Sequence, residues 1–404
     1  MSEFKPILTT LGRHKLVASL LALLVALTCA IVCNVAFMLQ QRVVGMNLPS
    51  GVAEDRLVTI QSFNLDQNAN QIAAHQADLA ALRMILGVES AAAVDALPFN
   101  GNNWTNGVGV DPQHNIASVS VFNGTPGELQ TLGLKLVAGR DLQPDQYIPE
   151  DSRHGYDGLD RVPSAVITQA LATRLFPRQD PLGKSIYTTP SPIRVVGVVA
   201  HLARPDVGTG DDNDFSMLLP MLPDTSDVTY VLRTRPRDRG RVLKQAEAAL
   251  YGVDASRVVR HGQTFQQLRA KYFQGDRTMI GLLIASALGL MFVAALGITG
   301  LANFWVQQRT RSIGIRRALG ARRRHILHYF QAENFLIVTL GVVAGVLLAI
   351  GLNLLLMQHY ELPRLPLWYL PVGAVALWVL GQLAVLAPAL RASRVPPVVA
   401  TRSV

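Results

Sequence analysis

The stretch RTRSIGIRRALGARRRHIL, residues 309–327, holds seven arginines and no acidic residue. It lies between two runs, 278–308 and 334–360, that contain no Asp, Glu, Lys or Arg at all. Two further runs of this kind occupy 16–41 and 365–390. A helix needs about 20 apolar residues to cross a bilayer, and each run exceeds that. Helices of soluble domains mostly run about 8–20 residues, so four longer ones argue for membrane spans rather than core helices. The composition agrees. The chain of 404 residues is 50% hydrophobic and 16% charged, against about a quarter charged in a soluble domain.

The net charge of +9 is unevenly placed. Residues 42–277 carry 23 basic and 25 acidic side chains, while 1–15, 306–330 and 388–404 are all basic in balance. Short cytoplasmic loops are rich in Lys and Arg. With four spans, those three basic segments fall on one side, which predicts that both termini and the loop are cytoplasmic. Residues 42–277 then lie outside. A nucleic-acid role is excluded, because a basic run held between two spans carries no recognition motif. The first run is too long for the apolar region of a secretory signal and reads as an uncleaved anchor. Cys29 and Cys33 lie within it, four residues apart and so on one helix face. They read as small packing residues with no chemistry.

In the external part, period-3.6 patterning predicts helices near 70–86, 127–136, 169–176 and 239–251. β-Branched runs predict strands near 116–122, 166–168, 193–200 and 228–234. This gives an α/β or α+β domain large enough for two subdomains, with about 124–226 as an insertion. Thr264 reads as a helix N-cap. With no proline between it and the second span, the helix is expected to run on as one stiff rod.

Signals of chemistry are weak. Gly183-Lys184-Ser185 ends like a phosphate loop, but Arg178 stands where that motif needs glycine. Asp211, Asp212 and Asp214 lack the spacing of a calcium loop. His325 and His328 have no carboxylate or thiol beside them. No catalytic, cofactor-binding or metal site is expected. Gly341 and Gly345 form a small-xxx-small pair suited to close helix packing, and are one candidate contact between two chains.

The segment Arg311, Ser312, Ile313, Gly314, Ile315, Arg316, Arg317, Ala318, Leu319, Gly320, Ala321 resembles the R-E-I-G-I-R-R-A-L-G-A motif of FtsX-like permeases of ABC transporters. Glu333 matches that family's usual Glu, and PALRASRVPPVVATR its ending. In the external part, LKLVAGRDL, PSAVITQALATRLFPRQDPLGKSI and IRVVGVVA are similar to the periplasmic core of the MacB-type group, so the resemblance covers nearly the whole chain. Ser312 stands in place of the usual Glu, and Leu390 and Thr401 also depart from the pattern.

The resemblance implies a four-helix membrane protein with an α+β periplasmic domain inserted between helices 1 and 2, and no fused ATPase domain. The expected division is a leader at 1–15, spans at 16–41, 278–308, 334–358 and 367–389, a periplasmic core at 42–277, a coupling loop at 309–333, a short loop at 359–366 and a tail at 390–404. It implies a non-catalytic permease subunit of the bacterial inner membrane, working with a separate P-loop ATPase that binds ATP itself. A second permease chain, identical or related, is expected, with a periplasmic adaptor and outer-membrane channel as further partners. Efflux of antibiotics or peptides is the first functional reading. Signalling to an envelope enzyme and lipoprotein release are the alternatives. The coupling loop would hold the chain on the cytoplasmic face through its arginines and present Ile313, Ile315, Leu319 and Ile326 to the ATPase.

Overall fold

A computed structural model describes residues 15–66, 69–150, 157–208, 210–260, 262–319, 322–360, 366 and 369–394. The chain divides into two compact units, one formed by residues 1–44 with 276–404 and one by 45–275.

The chain enters through helix α1 (Lys15–Met46), whose bilayer-length stretch is free of charge up to Arg42. The external unit follows. Its first sheet joins β1 (Leu57–Phe63), β2 (Val88–Val94), β12 (Asp227–Thr234), β13 (Val258–Val259) and β14 (Gln263–Thr264), all antiparallel. Helices α2 (Gln71–Arg83) and α5 (Arg239–Val253) supply apolar residues to a core against this sheet. The period-2 rule of strands divides the side chains. Val58, Ile60, Tyr230 and Leu232 join Leu79, Leu82, Val242 and Leu250, while Leu57 and Val231 enter a different core.

The second sheet runs β3 (Thr105–Val108), β4 (Ala117–Asn123), β10 (Ser216–Leu219), β7 (Ser164–Thr168), β9 (Pro192–Val199), β5 (Leu136–Gly139), with β8 (Ser185–Tyr187) paired to β9. It is mixed, with β4/β10 and β7/β9 parallel. A small ladder pairs β6 (Ile148–Pro149) with β11 (Met221–Leu222). Helix α4 (Gln169–Leu175) covers one face through Leu171 and Leu175. Phe122, Val166 and Leu218 turn the other way and share a core with Leu57 and Val231 of the first sheet.

Three expectations change here. The second sheet takes in β3 and β4, so the inserted part begins upstream of residue 124. The helix near 127–136 shrinks to α3 (Glu128–Leu132), because Gly133 adopts φ +75° and ends it in the left-handed cap that glycine accepts without strain. The single rod from Thr264 is also interrupted. Thr264 does cap α6 (Phe265–Tyr272): its Oγ1 accepts from the Gln267 N–H at 3.2 Å, and the Thr264 N–H donates to Gln267 Oε1 at 2.9 Å. At Phe273 the backbone leaves helical geometry, and α7 (Gln274–Gln308) starts afresh. Phe273 is buried against Phe99, with ring centroids 5.2 Å apart, so tertiary packing overrides helix continuation at that residue.

The membrane unit consists of α1, α7, α8 (Thr310–Ala318), α9 (Arg323–Tyr360) and α10 (Tyr369–Ser393). Of these, α1, α7, α9 and α10 are long and apolar enough to cross a membrane. Small residues set the packing. A Cβ on Gly341 would lie 2.7 Å from Val25 Cβ, and one on Gly345 2.5 Å from Cys29 Cβ. The glycine pair is therefore filled by α1 of the same chain and is not free to join two chains. Cys33 sits likewise on Gly373 of α10, which is the packing role expected of the cysteines. Asn334 Nδ2 donates to the Gly381 carbonyl at 2.9 Å, and Thr299 Oγ1 to that of Ala384 at 3.0 Å. Arg42 near the end of α1 pairs with Asp276 at the start of α7.

Gly345→Leu should destabilise this bundle by about 1–3 kcal/mol, the usual cost of overpacking. Thermal unfolding in detergent would measure it, with the exposed Leu340→Ala as reference. Equal melting of the two variants would mean that the α1–α9 contact is not tight.

Candidate coupling segment

Helix α8 carries most of the segment singled out in the sequence. It is nearly a continuation of α7. The Arg309 N–H donates to the Trp305 carbonyl at 3.1 Å and the Ile313 N–H to that of Arg309 at 2.9 Å. Its apolar residues divide between two faces. Ile313 and Gly314 are buried, and Ile313 shares a cluster with Ile326 and Phe330 of α9. Ser312, Ile315, Ala318 and Leu319 are exposed, with Leu319 82% accessible. Spacings of three and four residues place this second set along one helix face. The expected four-residue apolar surface thus narrows to Ile315 and Leu319, since Ile313 and Ile326 are core residues. Gly320 and Ala321, and the side chains of Arg311, Arg316 and Arg317, lie outside the described residues, as do the leader up to residue 14 and the tail from 395.

Arg309 stands between α7 and α8. Its Nη1 donates to Glu333 Oε2 at 2.7 Å and its Nη2 to Oε1 at 3.1 Å. Glu333, on α9, is 2% exposed. The guanidinium also lies 5.9 Å from the Trp305 ring centroid. Sequence reading noted Arg309 and Glu333 separately. Their pairing crosses 24 residues and has no local signal.

Residues 17–258 match the MacB-like periplasmic core domain family, and residues 284–397 the FtsX-like permease C-terminal family. The chain belongs to the FtsX-like, MacB-type ABC transporter permeases. It is 30% identical over 254 residues to a macrolide export ATP-binding/permease protein MacB of Rhodospirillum rubrum, covering 59% of this chain and 38% of that one. It is 29% identical over 253 residues to a pyoverdine export ATP-binding/permease protein, PvdT, of Pseudomonas syringae pv. syringae, covering 59% and 37%. The chain thus spans less than two fifths of these two relatives. An ABC transporter permease of Bacillus subtilis, YknZ, is 23% identical over 308 residues, with 72% and 71% covered. The crystal structure of the periplasmic region of MacB from Actinobacillus actinomycetemcomitans aligns with a TM-score of 0.35 at 14% identity, over 55% of this chain and 94% of that one. As in that family, four apolar helices and an α+β domain make a multi-pass membrane protein.

The rest of the permease offers little chemistry. Gly183 and Lys184 donate their N–H groups to the Val195 and Pro181 carbonyls, and Ser185 opens strand β8, so these residues form a sheet turn and not a phosphate cradle. Asp212 pairs with Arg204, and Asp214 Oδ2 lies 2.9 Å from His201 Nδ1, so the acidic loop is tied to side chains of its own domain. Among the described residues no group of three or more His, Cys, Asp or Glu is placed to hold a metal.

The external domain does gather carboxyls that the sequence reading passed over. Asp95 and Glu150 line a cleft of about 900 Å³ together with Phe99, Trp104 and Tyr272. Burial pushes Asp95 up to about 7, against the backbone N–H groups that donate to it. Burial, and then the nearby charge of Asp95, pushes Glu150 up to about 8. Glu128 is raised well above the carboxylate range by burial, with Asp95 and Asp141 adding to the effect.

Proposed function

We propose that this permease is the membrane subunit of an efflux transporter, coupling ATP hydrolysis by a separate cytoplasmic ATPase to movement of its external domain. The observation that carries the reading is the exposed face of α8. Ile315 and Leu319 are apolar, open and four residues apart on a helix whose other side is locked into the bundle. Such a face suits docking on a soluble partner. The surrounding arginines favour the cytoplasmic side, where ATP is available, for α8 and for both termini. The chain itself is non-catalytic in this scheme, and ATP binds to the partner. A second permease chain would match an ATPase dimer. A periplasmic adaptor and an outer-membrane channel would complete the export route. Antibiotics and peptides are the proposed cargo class, in line with the export names of the relatives.

Affinity capture of the tagged chain in mild detergent tests this directly. A P-loop ATPase should co-purify at stoichiometric amount. Ile315→Asp with Leu319→Asp should reduce its capture at least about tenfold, the scale of losing an interface anchor, while membrane levels of the permease hold. Undiminished capture by that double variant would remove the docking role from α8. Deletion of the protein should sensitise cells to several unrelated compounds. A defect confined to cell separation or to lipoprotein release would instead favour one of the other two readings.

A further inference from the structure

Motion delivered to α8 has two ways out of the loop. One is along the chain, back into α7. The other is across the bundle, into α9. The first keeps helical hydrogen bonds across the junction, but within this chain α7 has little to push against. Only a small part of α7 is buried, with Leu282, Leu288, Phe292 and Leu296 all exposed, and its helix is separated from α6 at Phe273.

The second way is made of stiff contacts at every step. Arg309 and Glu333 form a two-pronged pair at 2.7 and 3.1 Å. A forked guanidinium–carboxylate pair fixes direction as well as distance, which a lysine ammonium cannot do. Its carboxylate is almost wholly buried, so water cannot readily replace either prong. One turn further on, Ile313 packs in the same core as Ile326 and Phe330 of α9. Helix α8 is therefore held to α9 at two points. Helix α9 is in turn seated on α1, where Gly341 and Gly345 leave no room for even a methyl group against Val25 and Cys29.

We propose that Arg309 and Glu333 are positioning residues that route the movement of α8 through the third span to the first span. The inference rests on the docking role of α8 proposed above. It assigns to the ion pair a task separate from docking: the pair makes α8 and α9 one rigid lever.

The test uses the full chain in nanodiscs with the ATPase that co-purifies with it. Spin labels at Ser312→Cys on α8 and Leu340→Cys on α9 sit at exposed positions, while native Cys29 and Cys33 are fully buried. In the otherwise unaltered chain, the distance between the labels should be the same without nucleotide and with ATP. In Glu333→Gln it should change on ATP binding, because one prong of the pair is lost. ATPase capture and turnover should stay near normal in this variant. Tolerance of the compounds to which deletion sensitises the cell should fall about tenfold, below the full cost of breaking a buried pair because the amide keeps one prong. Arg309→Lys, which keeps the buried charge compensated but loses the fork, should give an intermediate loss and guards against a mere folding defect in Glu333→Gln. A label distance that already changes with nucleotide in the unaltered chain would overturn the proposal, as would full tolerance in both variants. Failure of any ATPase to co-purify with the unaltered chain would overturn the docking reading and this one with it, and is seen before any variant is compared.

Discussion

Asp78→Ala is expected to cost the external domain about 3–5 kcal/mol, the range for removing one partner of a buried ion pair. Asp78 Oδ2 accepts from Arg257 Nη1 and from the Tyr230 hydroxyl, both at 2.5 Å. The side chains of Asp78 and Arg257 are 2% and 4% exposed. Without the carboxylate, the buried guanidinium keeps only Asp254, 4.0 Å away, as a counter-charge. His75 can accept from the Tyr230 hydroxyl through Nδ1, 3.1 Å away, but does not replace the lost charge. Its Nε2 is placed to donate to the Thr225 carbonyl at 3.0 Å, and burial depresses its basicity, which favours the neutral ring. The loss would free α2 from β12, since Asp78 and His75 are both on α2 and Tyr230 is on β12. Hydrogen exchange of peptides from α2 and β12 in the purified permease would measure it. Asp78→Ala combined with Arg257→Met should recover much of the stability, because the stranded charge is then gone. If the double variant exchanges as fast as the single one, the penalty does not come from the uncompensated guanidinium.

The second large effect is a dependence on pH. Asp95, Glu128 and Glu150 are all harder to ionise in the folded domain than in an unfolded chain. Each therefore contributes stability that is fully present below the ordinary carboxylate range and is lost as pH rises through the folded value. For Asp95 and Glu150 the loss runs from the ordinary carboxylate range up to about 7 and about 8, and levels off above those values. Together they should remove about 2–3 kcal/mol between roughly pH 6.5 and 8.5. His75 has the opposite sign. Its depressed basicity raises stability with pH only up to the ordinary histidine range, so the comparison belongs above that range. Thermal unfolding of the permease across this interval should show a falling midpoint, and Glu150→Gln should flatten the slope. A flat profile in the unaltered protein would mean that these carboxyls take up water or a counter-charge on folding.

Much of the architecture is readable without coordinates, because some constraints act locally or through length alone. A bilayer demands long apolar runs, so the four spans stand out by their lack of charge. Thr264 caps α6 because a hydroxyl before a helix meets an N–H three residues on, whatever surrounds it. The arginines of 309–324 mark the loop because they are expelled from the apolar phase. Cys29 and Cys33 were legible as packing residues from their burial in a span.

Other features depend on partners far along the chain. Gly275 is the one weak helix former near Phe273, and only the tertiary structure shows the break at Phe273, whose ring is buried against Phe99. Ile313 and Ile315 are equally apolar in the sequence, and only the placement of α9 buries one and exposes the other. Gly341 and Gly345 announce a close contact but not with whom, and the backbone of α1 decides it. Arg309 and Glu333 are each visible as charges beside spans, while their two-pronged pairing exists only when α9 returns beside the end of α7. The sequence by itself determined the spans, their sidedness as an expectation, and the family, since these follow from composition, length and short motifs. Tertiary structure alone decided which faces are free, which charges are paired and where the helix breaks, because burial and pairing depend on residues that chain order keeps apart.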